Sequence, residues 1–229
     1  MDFPKTADIV VIGGGVVGTA TAYYLAKSGR KNVVLVEKNT VCSGSTGRWG
    51  LELNCRMALA CLDTFEQLDE ELGLPTGLNQ GGYLLIAYKE KEWEQFKKNV
   101  ELQHSLGIKT EIFTDVKRAQ EICPGVAVDD ALGFTYYHRD GHADPFLTTF
   151  AFQEAAKRLG VKFCKFTEVT GLRVESGEIK AVETNKGTIE CGEVVNCAGS
   201  WAQDIAAMAG IKLPNWAERH EILITEPVD

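Results

Sequence analysis

Gly13, Gly15 and Gly18 have the G-x-G-x-x-G spacing that lets a backbone turn tightly, approach a pyrophosphate closely and pack a helix against a strand. An acid, Glu37, follows Gly18 by 19 residues, near the separation of about 20 at which a carboxylate reaches a ribose hydroxyl. The chemistry of such a pattern is noncovalent. Backbone amides at a helix start, here those of Val16, Val17 and Gly18, present free N–H groups and a partial positive charge to phosphate. The same residues also fit a blander pattern, a glycine-rich turn followed by a surface glutamate.

The elements that would hold this loop can be read on either side of it. Ala7–Ile12 is a short β-branched run of the kind that forms a strand buried on both faces. Val16–Ser28 has helical spacing, small Ala20, Ala22 and Ala26 for close packing, and Gly29 as a stop. Val33–Glu37 is a second buried strand. The whole stretch Ile9–Ala26 lacks a charge, so its length invites a membrane-span or signal reading. Three consecutive glycines argue against one helix there, since each costs a helix interior roughly 1 kcal/mol, and the flanks lack a basic n-region and a cleavage-like site. No integral membrane span is expected.

The chain has 229 residues, 45% hydrophobic and 24% charged, an ordinary globular balance rather than a disordered one. A formal net charge of −8 argues against nucleic acid or an anionic membrane as the main partner; Lys97 and Lys98 read as a solvated helix face. The seven cysteines are odd in number and none forms C-x-x-C. Reduced thiols and a cytoplasmic location are expected from that pattern.

Further along, Cys42–Arg48 is a loop of small and hydroxylic residues, Leu51–Leu72 a long helix, Gly81–Tyr88 a strand, and Glu90–Leu106 a charged amphipathic helix. Asp115–Ile122 is a short helix with Thr114 at its N-cap, and Leu132–Tyr137 a strand. Asp144 and Pro145 start a helix that Gly160 stops. Three strands with tight turns, Phe166–Glu175, Ile179–Thr184 and Thr188–Cys191, predict an antiparallel meander. Glu193–Gly199 is again a strand ending in glycine, followed by a helix over Trp201–Ala209, which repeats the geometry of the first motif.

Taken in order, DIVVIGGGVVGTATAYYLA, VVLVEK, GSTGR, DGHADP and EVVNCAGSWA resemble the D-amino-acid oxidase-like FAD-dependent oxidoreductases, of the sarcosine oxidase β-subunit, glycine oxidase and dye-linked proline dehydrogenase type. The resemblance implies an α/β fold: a Rossmann-like FAD-binding domain of the glutathione-reductase-2 type, with an antiparallel β-meander and a partial α+β substrate domain. The implied FAD domain is split between residues 1–80 and 145–215. The substrate domain would take 81–144 and resume at 216–229. By matching motif, Gly13, Gly15, Val16, Val17 and Gly18 would sit at the pyrophosphate, Glu37 at the adenosine ribose and Lys38 beside the adenosine. Ser43, Ser45, Thr46 and Arg48 would line the phosphate and ring side, Val169 would meet the adenine through its backbone, and Ala198, Gly199 and Trp201 would close over the dinucleotide.

Two departures from the pattern stand out. Relatives usually continue after the GSTGR-like loop with a glycine-rich segment and an arginine that help cover the flavin, whereas here Arg48-Trp49-Gly50 runs into Leu51-Glu52. The sequence also stops where relatives enter the substrate sheet, so most substrate-binding residues are expected beyond Asp229.

The implied reaction is oxidation of the C–N bond of a small amine or amino acid, of the sarcosine, glycine, proline or D-amino acid type, by hydride transfer to flavin, which carries the chemistry itself. No catalytic acid or base is assigned; Arg48 is the candidate for positive charge near the flavin or a substrate carboxylate. Other subunits of a larger enzyme are implied partners. In HRDGHAD, His138–Asp144, a metal reading yields to a loop and helix cap, because Gly141 and Asp144-Pro145 break any helix. His220 reads as a strand histidine, Cys191 and Cys197 as buried small hydrophobes, and a covalent flavin link through a cysteine or histidine, as the resemblance allows, stays open. Two alternatives remain open at this point: a nicotinamide-dependent dehydrogenase, which would not need the meander or the late VVNCAGSW segment, and a non-catalytic dinucleotide-binding module.

Overall fold

The computed structural model describes residues 3–39 and 52–218. In chain order these form β1 (Ile9–Ile12), α1 (Val16–Lys27), β2 (Val33–Val36), α2 (Glu52–Leu72), β3 (Tyr83–Ala87), α3 (Glu90–Ser105), β4 (Glu111–Phe113), α4 (Val116–Ile122) and β5 (Gly133–Tyr137). Then come α5 (Pro145–Arg158), β6 (Lys162–Cys164), β7 (Val169–Glu175), β8 (Glu178–Thr184), β9 (Gly187–Glu190), β10 (Glu193–Asn196), a 3-10 turn (Gly199–Trp201) and α6 (Ala202–Met208). The chain divides into two compact units, one of Met1–Gly44 with Phe152–Asp229 and one of Ser45–Ala151.

The first unit holds a four-stranded parallel sheet in the order β10-β1-β2-β6. Every residue of β1 and β2 is buried, as expected of parallel strands covered on both faces. Val10, Ile12, Val34 and Val36 share one face and pack with Val169, Val182, Ile189 and Ile205, so the β7-β8-β9 meander supplies one cover of the sheet. The predicted meander is present, with Ser176 and Gly177 both at positive φ in its first turn, the conformation that two-residue hairpins favour. Its first strand starts at Val169 rather than Phe166. Phe166 itself has φ +53°, and residues 164–167 instead run beside the end of β2, where the Thr167 N–H donates to the Glu37 carbonyl at 2.8 Å. Strand β6 has no counterpart in the sequence reading; it extends the sheet beyond β2.

The second unit is built on an antiparallel sheet in the order β3-β5-β4. Phe134 is fully buried with Ala119 and Val128, and its ring stacks on Phe113 at 5.4 Å between centroids. Gly133 leaves room for the Trp93 ring of α3, which any Cβ there would strike. Helix α2 is tied to the end of β5 by Arg139, whose guanidinium pairs with Asp63 at 2.7 Å and Glu66 at 2.8 Å. That pairing holds the Glu66 carboxyl below its usual range.

Helix α4 is capped by Asp115, which accepts the Lys117 N–H at 2.9 Å, and not by Thr114; the extended Asp115 backbone, φ −74° and ψ 109°, makes it the residue before the first helical turn. Asp144 caps α5 as its sequence predicts, accepting the Phe146 and Leu147 N–H groups at 2.8 Å each. Asp144→Ala is expected to cost about 1 kcal/mol, the usual worth of an N-cap, read as a lower urea midpoint with unchanged slope. The rest of HRDGHAD ties into α2 and the approach to β3, through the Arg139 ion pairs and through His142. His142 exchanges backbone hydrogen bonds with Asn79, and the His138 ring meets Tyr137 edge-on. No described helix is long and apolar enough to cross a membrane.

Candidate dinucleotide site

Strand β1 lies between β10 and β2, and all three are parallel, so their carboxyl ends meet at one edge of the sheet. From β1 the chain passes through α1 to β2 on one side, while β10 arrives on the other. This is a topological switch point, the place where open α/β sheets leave a crevice for ligands. The ladder runs on into the loop: the Gly13 N–H donates to the Val36 carbonyl at 2.9 Å, and the Cys197 N–H to the Ile12 carbonyl at 2.8 Å.

The three glycines have different tasks. Gly13 has φ +111°, and a Cβ on it would run into the Cys197 carbonyl. A Cβ on Gly18 would run into the Gly13 carbonyl, with the Cys197 side chain next at 3.4 Å. Both therefore serve packing of loop, helix and strand. Gly15 differs, since a Cβ there would find no atom of the described residues within 4 Å, and its backbone is ordinary, φ −73° and ψ 178°. It precedes α1 without any side-chain cap, so the first-turn N–H groups of the helix receive no side-chain acceptor from it. Val17 is 65% exposed, while buried Thr19 braces the turn by donating both its N–H and its hydroxyl to the Gly15 carbonyl, at 2.9 and 3.1 Å.

Glu37 follows directly on β2 and is fixed from both sides. One carboxylate oxygen accepts the Gly14 N–H at 2.7 Å and the other the Asn39 N–H at 2.7 Å. A carboxylate has about four lone-pair sites, so each oxygen retains capacity for a hydroxyl donor. The motif spacing identifies Glu37 but not Gly14 and Asn39; a carboxylate between two amide donors is visible only once the loop and the strand end are side by side. The Glu37 N–H also donates to the Cys164 carbonyl at 3.0 Å and the Phe166 N–H to Asn39 at 3.3 Å, which brings the approach to β7, and so Val169, along the same edge. The Val169 side chain is 8% exposed and committed to the core, leaving backbone as what it can offer.

On the other flank, Gly199 has φ +55° and the Trp201 N–H closes a turn on the Ala198 carbonyl at 3.0 Å. Asn196, which the sequence reading passed over, fastens this turn: its side chain accepts the Ala198 N–H at 3.2 Å and donates to the Ala202 carbonyl at 2.8 Å. The Lys38 ammonium sits 3.4 Å from the centroid of the Trp201 ring, joining the ends of β2 and β10. Lys38→Met is expected to cost about 0.5–1 kcal/mol, the worth of an exposed cation–π pair, and to change the Trp201 fluorescence. The Cys197 thiol, which contacts the Thr21 hydroxyl at 3.8 Å, is pushed up in pKa by burial, and burial does the same to Cys191. Both shifts favour the protonated thiol, and Cys197 is half-buried rather than buried as its sequence suggests. Ser43, Ser45, Thr46, Arg48 and His220 lie outside the described residues.

Comparison with known proteins places the chain in a family. Residues 8–229 match the family described as "DAO: FAD dependent oxidoreductase". Mitochondrial sarcosine dehydrogenase of Mus musculus is 35% identical over 240 residues, covering 99% of this chain and 26% of that protein. The mitochondrial pyruvate dehydrogenase phosphatase regulatory subunit of Mus musculus is 31% identical over 236 residues, covering 99% of this chain and 27% of its own. The chain thus spans about a quarter of the length of these curated relatives. Among solved structures, L-proline dehydrogenase from P. horikoshii superposes with a TM-score of 0.85 at 39% identity, over 92% of this chain and 57% of the other. Motif order, fold and sequence match agree, and the chain belongs to the DAO family of FAD-dependent oxidoreductases.

Proposed function

We propose that this chain binds FAD at the carboxyl edge of its parallel sheet and supplies the dinucleotide-binding part of an enzyme that oxidises the C–N bond of a small amine or amino acid. The observation that carries the binding half is the open space at Gly15, set between two glycines that packing requires. The residues present fit the cofactor: an uncapped helix start for the pyrophosphate, a carboxylate held between the glycine loop and the strand end, and a Lys38–Trp201 pair beside them.

In this reading Gly13, Gly15, Val16, Val17 and Gly18 hold the pyrophosphate and Glu37 orients the ribose. Lys38 and Trp201 flank the adenosine, Val169 meets the adenine through its backbone, and Ala198 and Gly199 close the far side. Ser43, Ser45, Thr46 and Arg48 line the phosphate and ring side, with Arg48 able to hold a substrate carboxylate. The chemistry that bound FAD supplies is acceptance of a hydride from the carbon next to the substrate nitrogen; the protein orients and shields. Residues 1–80 and 145–215 make up the FAD domain, and 81–144 with 216–229 belong to the substrate side. Relatives named for sarcosine and L-proline favour an amino acid with a secondary amine as substrate. A relative named as sarcosine oxidase subunit beta favours work alongside other subunits, and the odd set of thiols suits a reducing compartment such as the cytoplasm.

A second reading, a dinucleotide-binding regulatory module, draws support from the relative named as a phosphatase regulatory subunit. One experiment separates the two. The intact protein that carries this chain is loaded with FAD and titrated anaerobically with sarcosine, glycine, L-proline and D-amino acids. Bleaching of the flavin bands by one of them is the expected result. Tight FAD uptake without reduction by any would favour the regulatory module, and failure to take up FAD would refute both.

A further inference from the structure

The carboxyl ends of β2 and β10 flank that of β1, and one side-chain contact joins them across it. Neighbouring strands stand about 4.8 Å apart, so a link from one flank to the other has roughly 10 Å to cover. Lys38, two residues past β2, and Trp201, five residues past β10, cover it, with the ammonium 3.4 Å from the ring centroid. We propose that this pair is a clasp across the dinucleotide crevice, which must open for FAD to enter or leave and closes again over it. The proposal rests on the dinucleotide reading and adds a gate to it.

Three observations support a clasp rather than a mere neighbour of the ligand. The backbone abuts the glycine loop on both sides. Glu37, next to Lys38, accepts the Gly14 N–H at 2.7 Å, and Cys197 and Ala198, which lead into the turn that ends in Trp201, are what a Cβ on Gly13 would meet. The Lys38–Trp201 contact therefore spans the loop. The pair also has little else to hold: among the described residues Lys38 has no carboxylate partner, since both oxygens of the adjacent Glu37 are taken up by amides, and the indole N–H of Trp201 has no acceptor. Finally, the contact is suited to opening. Trp201 is 49% exposed, an exposed cation–π pair is weak, and a lysine on its flexible four-carbon stem swings away without any backbone movement. Such a pair favours the closed form about two- to fivefold, and the rate of entry falls with the share of molecules that are open.

The test is the rate of FAD uptake, followed by stopped-flow quenching of flavin fluorescence with the apo form of the intact protein that carries this chain. Loss of a side chain that only touches the bound dinucleotide speeds release and leaves uptake as it was. Loss of a clasp speeds uptake. Trp201→Leu, which keeps the lysine charge and so its attraction for an anionic dinucleotide, should take up FAD about two- to fivefold faster than wild type. Lys38→Arg, which keeps a cation over the ring, should remain as slow as wild type. In a Lys38→Met background the clasp is already gone, so adding Trp201→Leu should change uptake no further; comparing the two backgrounds isolates the pair from the effect of charge on approach. Wild-type uptake in Trp201→Leu, or an equal gain from Trp201→Leu in both backgrounds, would overturn the clasp while leaving FAD binding intact. Failure of the wild-type protein to take up FAD at all would instead refute the dinucleotide reading, and the clasp with it.

Discussion

Gly18→Ala is expected to lose both FAD binding and a substantial part of the protein's stability, whereas Gly15→Ala is expected to lose the first and keep the second. At Gly18 the added methyl collides with the Gly13 carbonyl, a backbone atom locked in place by the Gly13 N–H bond to Val36. Relief requires α1 to move away from β1. Overpacking of this kind costs about 1–3 kcal/mol and occasionally more, a large share of the roughly 5–15 kcal/mol that holds a domain together. At Gly15 alanine can adopt the existing backbone, and its methyl points into free space. The remaining penalty is that of alanine at an N-cap, within roughly 1 kcal/mol. Urea denaturation and quenching of FAD fluorescence give the two readouts. The informative figure is the ratio: Gly15→Ala should weaken FAD at least tenfold, or about 1.4 kcal/mol, at nearly normal stability. Wild-type affinity in Gly15→Ala would mean that no phosphate approaches this loop.

Glu37→Gln should be almost as damaging as removal of the side chain, despite its similar shape. Both carboxylate oxygens accept backbone N–H groups, and the glutamine amide can satisfy just one of these while presenting its own N–H₂ to the other. Turning the amide oxygen to exposed Asn39 strands the Gly14 N–H at a cost of about 1–3 kcal/mol, and turning it to Gly14 sets the amide N–H₂ against the Asn39 N–H. Because one of the two donors is Gly14, the loss is transmitted to the phosphate loop. FAD affinity should therefore fall together with stability, and rescue by Glu37→Asp should fail because the shorter side chain cannot span Gly14 and Asn39. A Glu37→Gln protein with native stability and native affinity would sink this account.

The segment from β1 to β2 is legible because its signals are local: β-branched runs, adjacent glycines and a helical period lie within thirty-odd residues. The meander is legible for the same reason, through Ser176-Gly177 and Asn185-Lys186-Gly187. Strand β6 is not. Lys162, Phe163 and Cys164 have no alternating pattern to speak of, and they are a strand because β2 offers them an edge. Thr114 and Asp115 are both good capping residues, so backbone geometry rather than residue type decides between them. The Lys38–Trp201 stack and the Cys197 wall behind Gly13 and Gly18 join residues that lie far apart in sequence, and no periodicity carries such pairs. Val169 and Ala198 enter the site through motif resemblance, not through their side chains, which have no distinctive chemistry.

The placement of β1 between β2 and β10 sets an order of events during synthesis. β1 can pair with β2 as soon as α1 has been made, but its other neighbour comes much later; Cys197 and Thr21, which touch across this junction, are 176 residues apart. The second unit, a single continuous stretch, can complete its own contacts in the interval. Until β10 is translated, the Ile-Val-Val-Ile strand has an open, apolar edge of the kind that templates aggregation, and the loop after it lacks the Cys197 wall. A nascent chain halted before β10 is therefore a client for chaperones and not a nucleotide binder, even though the glycine loop is translated long before β10.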